Sequence, residues 1–565
     1  MKHKVSTNVR LLALATAGVM TTAMLAATGG TMASASPTGQ RAQATPELVM
    51  ESSPETTITE NFNPFATTTP VYGMGPDGLI YEPLIEFDLA APPKYYPWLA
   101  TGYKWGDHGK SITFTIRSGV KWSDGTPFSA ADVAFTFNMI KSNPDINLSG
   151  LKIASVTQSG NTVTLTFPTA QYSNLQNIAG TAIVPQHIWA SQSNPATYVD
   201  ADPVGTGPYV VSNFTSQGIT LTARSDYWQA VPVKTVYFPV YTSNTSATTA
   251  LFTGQIDWTG NFIPGLQKDF VDTNKAFHHF WEAAGSTNAY WMNLNTWPTN
   301  QQPVRQAISD ALNRTVIAAE GEDGLEDPVL NATGLTLPTY AAWSGPVKKL
   351  ALSPVGQPGE AKKVLEAAGF TLKHGYFYLG NKEVSIDITD PSGYTDYAAS
   401  GALAAQELRE AGINAVFVGQ SVNAWNEDVS AGTFQMTEHW GSGGLTPYNM
   451  YDNWLDYTLV QGKSASGDFE RLDDVALQAA LKASAAAPTV ALQTRALLPL
   501  MEYVADQLPI IPIDTASEWF EYDSDHFTGW PTQSDPYETG QPSGSNNGPG
   551  SGTDLVVALH LQPRA

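Results

Sequence analysis

Between about residues 110 and 260, apolar and polar positions alternate in short runs rich in β-branched and aromatic residues. Ser111 to Arg117, Thr162 to Phe167, Ile219 to Arg224 and Thr235 to Tyr241 are therefore expected as strands. One helix interrupts them. It starts at Ser129, with Asp132 three residues on as a capping-box variant, and places Val133, Phe137 and Ile140 on one face. Beyond about residue 290 the period lengthens. Pro303 opens a helix carrying Val304, Ile308, Ala311 and Leu312, Glu360 to Ala368 forms another that ends at Gly369, and a third runs from Asp396 to Ala411 and stops at Gly412. Strands Val384 to Thr389 and Ile413 to Val418 flank this third helix, giving a strand–helix–strand unit of the α/β type. Helices at 471–487 and 489–506 lead into the apolar strand Leu508 to Ile513, and Leu555 to Leu561 is expected as a last strand.

The first thirty-five residues read differently. Lys2, Lys4 and Arg10 precede an uncharged run from Leu11 to Ala27, and Ala33-Ser34-Ala35 supplies a small-x-small cleavage site, the pattern of an export signal. Residues 36–47 follow as a flexible tether. Thr28 stands where a bacterial lipoprotein box carries its lipidated cysteine, so no thioether-linked lipid is expected. The protein is therefore expected to be exported, extracellular or associated with the cell surface, or periplasmic if the cell has two membranes. No later apolar stretch is long enough to suggest a membrane span.

Of 565 residues, 42% are hydrophobic and 14% charged, which fits a globular chain, and a net charge of −23 opposes any nucleic-acid partner. The absence of cysteine removes disulfides, thiolate zinc sites and cysteine nucleophiles. Catalytic motifs are not evident. The nine histidines are scattered, the adjacent pair His278-His279 points to opposite faces of a strand, and Gly462-Lys463-Ser464 lacks the upstream glycine of a phosphate loop. Glu320, Glu322, Asp323, Glu326 and Asp327 lack the spacing of a calcium loop and read as a solvated acidic loop. No metal site and no cofactor are expected. A glycosidase carboxylate pair needs no sequence spacing, so a secreted glycoside-active enzyme stays open as an alternative.

Aromatic residues are abundant instead, with 15 Trp, 23 Tyr and 22 Phe. Several lie among Gly, Asn and Thr: Trp291-Met292-Asn293, Trp425-Asn426, Trp440 beside Gly441-Ser442-Gly443-Gly444, Tyr448-Asn449, and Gly529-Trp530-Pro531. A flat indole covers the apolar face of a sugar ring while amides and hydroxyls bond its edge. Trp440, Trp530, Tyr448, Asn449, Trp291, Asn293, Trp425 and Ser442 are the candidate ligand-binding residues, with Trp440 and Trp530 placed on facing loops.

The segment from Phe114 to Val133 (FTIRSGVKWSDGTPFSAADV) closely resembles the signature of family 5 extracellular solute-binding proteins, the peptide-, nickel- and oligosaccharide-binding receptors of ABC importers. Pro203 to Tyr209 (PVGTGPY), Ser225 to Trp228, Leu251 to Asp257, and Val304 to Ile308 with Asn313-Arg314 agree in the same order. The resemblance implies an α/β, two-lobe periplasmic-binding-protein-like clamshell with an enlarged, β-rich first lobe. The expected division is 48–288 for lobe I, 289–515 for lobe II and 516–565 for a return to lobe I. The stretch His439 to Asn449 contains no acid to pair with a peptide ammonium, and it looks like the branch that binds β-linked cello-, manno- or chito-oligosaccharides. The resemblance thus implies a monomeric, non-enzymatic receptor that hands an oligosaccharide to an ABC permease. The alternative within the family is a peptide receptor using an acid elsewhere, such as Glu438 or Asp452.

Overall fold

The computed structural model describes residues 46–564 except 53, 56, 67–68, 91–93, 346–349 and 543–551. The export-signal segment 1–35 and most of the tether lie outside the described residues. No helix among the described residues is long and apolar enough to cross a membrane.

Two sheets organise the fold. The larger has seven strands in the order His278–Phe280, Glu521–Asp523, Trp258–Thr259, Leu48–Glu51, Thr235–Pro239, Gly218–Ala223 and Tyr209–Thr215. The second has five, in the order Asn414–Gln420, Ser385–Pro391, Met436–Trp440, Ala283–Met292 and Ile510–Glu518. Separate apolar cores lie under them, one running from Leu48 to Trp281 and resuming at Phe520, the others built from residues between Ala289 and Ile513. These are the two lobes. The chain passes from one sheet to the other twice, at residues 281–282 and 519–520. Trp281 and Phe520 meet edge-on at the crossing, 6.0 Å apart, and the Trp281 backbone N–H donates to the Phe520 carbonyl at 3.2 Å.

Local signals in the sequence explain most elements. Ser129 and Asp132 form a reciprocal capping box at the start of helix Ala130–Ser142. Strands Ser385–Pro391 and Asn414–Gln420 pair in parallel, with helix Thr395–Glu410 as the crossover that parallel pairing requires. Pro203-Val-Gly-Thr-Gly207 is a packing device: the Arg224 guanidinium donates to the carbonyls of Gly205, Thr206 and Gly207 at 3.0–3.3 Å, and a side chain at Gly205 would run into the Ile80 carbonyl.

The expected strand at Leu555 to Leu561 is instead helix Thr553–His560. Leu555, Val556, Val557 and Ala558 are all buried, so the segment has no polar face from which a period of 2 or 3.6 can be read. This helix still packs into the first lobe's core, with Leu561 behind it.

Candidate functional site

The strand Met436–Trp440, the loop 441–447 and helix Tyr448–Leu455 form one edge of the second lobe where it meets the first. Contact between the lobes is direct. Asn449 Nδ2 donates to Asn177 Oδ1 at 3.2 Å, and the Leu445 N–H donates to Gln176 Oε1 at 3.1 Å. Glycine is needed in this loop because a Cβ on Gly444 would stand 2.6 Å from the Asn449 amide, and one on Gly443 would stand 2.9 Å from the Gly285 carbonyl oxygen.

Among the described residues, two cavities lie between the lobes. The larger, about 850 Å³, takes Tyr72, Ser149 and Asn177 from the first lobe, and His439, Ser442, Asn449 and Phe469 from the second. Its volume falls within the range of ligand sites. The polar part of its wall is mostly neutral, with asparagines at 177, 423, 426, 449 and 453. Its charged groups are Glu55, Glu427, Asp452 and Lys463. The smaller cavity, about 110 Å³, has Asn261 and Phe262 on one side and Asn288, Tyr397 and Trp440 on the other.

An aromatic layer backs these cavities. His439 clusters with Trp425 and Trp440, with ring centroids 5.1 and 4.3 Å away, and Phe469 is 5.2 Å from it. Burial holds the His439 imidazole down to about 4, so the ring is neutral at physiological pH, and its Nδ1 sits 2.8 Å from the Trp440 carbonyl. Burial, reinforced by the charge of Asp456, raises Asp452 to about 7. Asp452 therefore sits near the balance between its neutral and charged forms.

The structure divides the expected ligand-binding residues. Trp440 lines the smaller cavity, and Ser442 and Asn449 line the larger. Trp291 and Trp425 are not on loops: Trp291 lies on strand Ala283–Met292, Trp425 lies on helix Val422–Ala431, and both are buried behind His439. Their indole N–H groups donate to the His439 carbonyl and to Thr437 Oγ1, so they orient the wall rather than face the cavity. Asn293 is likewise internal, donating to the carbonyls of Gly432 and Phe434. Tyr448 is buried at the start of its helix.

Trp530 does not face Trp440. It lies inside the first lobe, stacked on Tyr522 at 4.9 Å and edge-on to Trp258 at 5.7 Å, while its N–H donates to the Phe527 carbonyl. Burying a large indole in its own lobe's core outweighs leaving it in a cleft. Two wall residues, His439 and Phe469, are not among the residues expected from the sequence. The neighbouring His439-Trp440 pair is a visible signal there, whereas nothing around Phe469 marks it.

The acidic stretch 320–327 is also not a solvated loop throughout. Glu322 and Glu326 are 1% and 3% exposed, because the chain turns inward after a π-helical turn at Ile317–Gly321.

The chain belongs to the bacterial extracellular solute-binding proteins of family 5, whose middle-region profile matches residues 94–461. It is 30% identical over 312 residues to the nickel-binding periplasmic protein of Escherichia coli (strain K12), covering 53% of this chain and 57% of that protein. It is 26% identical over 300 residues to a glutathione-binding protein of Salmonella typhimurium, covering 50% of this chain and 55% of that protein. The matched chain thus spans little more than half the length of these curated relatives. Among solved structures, it resembles a mannohexaose-bound periplasmic oligopeptide-binding protein from Thermotoga maritima, with a TM-score of 0.84 at 24% identity over 92% of this chain and 98% of that one. The oligopeptide-binding protein of Bacillus subtilis in complex with a nonapeptide gives 0.74 at 18% identity, over 92% and 99%. These likenesses establish the two-lobe α/β fold.

Proposed function

We propose that this protein is the exported solute receptor of an ABC importer, and that it captures an oligosaccharide between its lobes for delivery to the permease. The observation that carries the sugar reading is the wall of the larger cavity. Rings of His439 and Phe469 adjoin a surface of neutral amides and hydroxyls, with Ser442, Asn449 and Asn177 among them. That combination suits a ligand with apolar ring faces and hydroxyl edges. Trp440, Ser442 and Asn449 are proposed to touch the ligand, and Trp291 and Trp425 to hold the wall behind it. The mannohexaose bound by the Thermotoga maritima protein supports the same reading.

A peptide is the second reading, and one observation favours it. Asp452 lines the larger cavity and offers a carboxylate for an α-ammonium. Glu438, the other acid considered from the sequence, is fully buried and is not among the residues lining either cavity. The solute-binding relatives support binding without catalysis.

Calorimetric titration with manno-, cello- and chito-oligosaccharides and with di- to nonapeptides tests the choice. Saturable sugar binding without chain shortening is expected. Peptide binding that is lost in Asp452→Asn, with no sugar response, would overturn the sugar reading, and shortened oligosaccharide in the same samples would overturn the receptor reading.

A further inference from the structure

Three carboxylates far apart in sequence converge beside the smaller cavity. Glu322 and Glu326 follow the π-helical turn, Asp514 lies on strand Ile510–Glu518, and all three are buried. One carboxylate oxygen of each lies within 4.8 Å of those of the other two. Some oxygens are satisfied: Ser400 Oγ donates to Glu322 Oε1 at 2.6 Å, the Ser517 N–H to Glu326 Oε1 at 2.7 Å, and Asn288 Nδ2 to Glu326 Oε2 at 2.9 Å. Glu322 Oε2 has no hydrogen-bond partner among the described residues, and Asp514 has only Glu326 and Asn288, themselves part of the cluster, beside its carboxyl.

Buried carboxyl oxygens without partners are costly, and like charges at this spacing repel. The surroundings do not relieve them. Asp396 and Glu438 are further buried acids acting on the cluster, and Arg314 is a cation that acts on Asp514. The Arg314 guanidinium is itself engaged elsewhere, by the Pro512 carbonyl and by Ser309.

We propose that Glu322, Glu326 and Asp514 together bind one hard divalent cation of the calcium class. The donor set is entirely oxygen, which selects such ions over softer metals. One oxygen from each of the three carboxyls is close enough to the others to share an ion, and Glu322 Oε2 is left without a partner. The smaller cavity gives the ion a way in, because Glu326 and Asn288 line it. The location gives the ion a consequence. Asn288 lies on the strand that leaves one lobe crossing, and Asp514 and Ser517 lie on the strand that enters the other. A cation here would tie both crossing strands to the loop that carries Glu322 and Glu326. This inference does not depend on which solute the cleft takes.

The test is a calorimetric titration of EDTA-treated, chelator-free protein with CaCl2, and in separate arms with MgCl2 and MnCl2, followed by melting curves at saturating salt. The expected result is one ion per chain and a melting midpoint raised by several degrees, since an ion that binds the native state stabilises it by mass action. Asp514→Asn and Glu322→Gln should each weaken uptake at least tenfold, while Glu360→Gln, an exposed acid paired with Lys363, should bind like the parent. Both cluster variants remove a like charge from a buried group and are expected to fold. No uptake by the parent protein from any of the three salts would overturn the proposal, as would unchanged uptake in both variants. Should either variant fail to fold, the parent titration and the metal content of dialysed protein still separate one bound ion from none.

Discussion

Asn449 in the second lobe donates a hydrogen bond to Asn177 in the first, at 3.2 Å, and both residues also line the larger cavity. One amide pair therefore serves the contact between lobes and the surface offered to a ligand. A bond of this kind exists only while the lobes are together, so it contributes to the closed state alone.

Replacing Asn177 by Ala is expected to weaken ligand binding by about 0.5–1.5 kcal/mol, the net worth of one hydrogen bond, chiefly through faster dissociation. Stopped-flow release of a fluorescent ligand measures it. An unchanged release rate would show that the pair does not contribute to closure.

The two tryptophans that the sequence pairs as stacking platforms should separate experimentally. Trp440→Ala is expected to cost about 1–3 kcal/mol of ligand affinity, the scale of aromatic stacking, with a smaller change in melting. Trp530→Ala is expected to cost about 3–5 kcal/mol of stability while the folded fraction keeps its affinity. Binding calorimetry and a melting curve on both variants decide it, and the reverse pattern would refute the placement of Trp530.

Stability should fall as pH rises. Burial raises Glu51 and Glu82 to about 7 and Glu282 to about 8, and it raises Asp200 to about 6. In each case the unfolded chain releases its proton at lower pH than the folded one. The stability they contribute is full below about pH 4.5, the ordinary glutamate range, and is lost as pH climbs through 6 to 8. Calorimetric melting from pH 4.5 to pH 8.5 should show a steadily lower midpoint, and a flat profile would mean these carboxyls have partners or water that hold them charged.

Truncation before Thr553 should prevent the first lobe from folding. It removes Leu555, Val557, Ala558 and Leu561, all with 0% exposure in that lobe's core. Loss of the cooperative melting transition, with exposed apolar surface detected by dye binding, is the expected outcome. A truncated chain that melts like the parent would contradict it.

Much of this architecture is legible in the sequence because it rests on local rules. The capping box at Ser129 and Asp132, the turn glycines at 369 and 412 and the strand–helix–strand unit around 385–420 all declare themselves within a few residues. What escapes is decided at long range. Trp440 and Trp530 occupy similar Gly- and Pro-rich surroundings, yet one lines a cavity and the other fills a core, because Tyr522 and Trp258 come from distant strands to surround the second. Glu322 and Glu326 read as solvated for the same reason: Asp514 and Ser400, which bury them, are distant in the chain. The helix at Thr553–His560 escapes because an all-buried segment has no period to read.

The double crossing also sets the order in which the chain can fold as it is made. The second lobe is continuous from Ala283 to Glu518, whereas the first borrows Glu521–Asp523 and the helix Thr553–His560 from the far end. First-lobe residues before Trp281 must wait for those after Trp519, so the inner lobe can mature while the outer one is still incomplete. Emergence from the ribosome and completion of structure are therefore out of step for the first lobe, and its apolar surface stays uncovered until Thr553–His560 arrives.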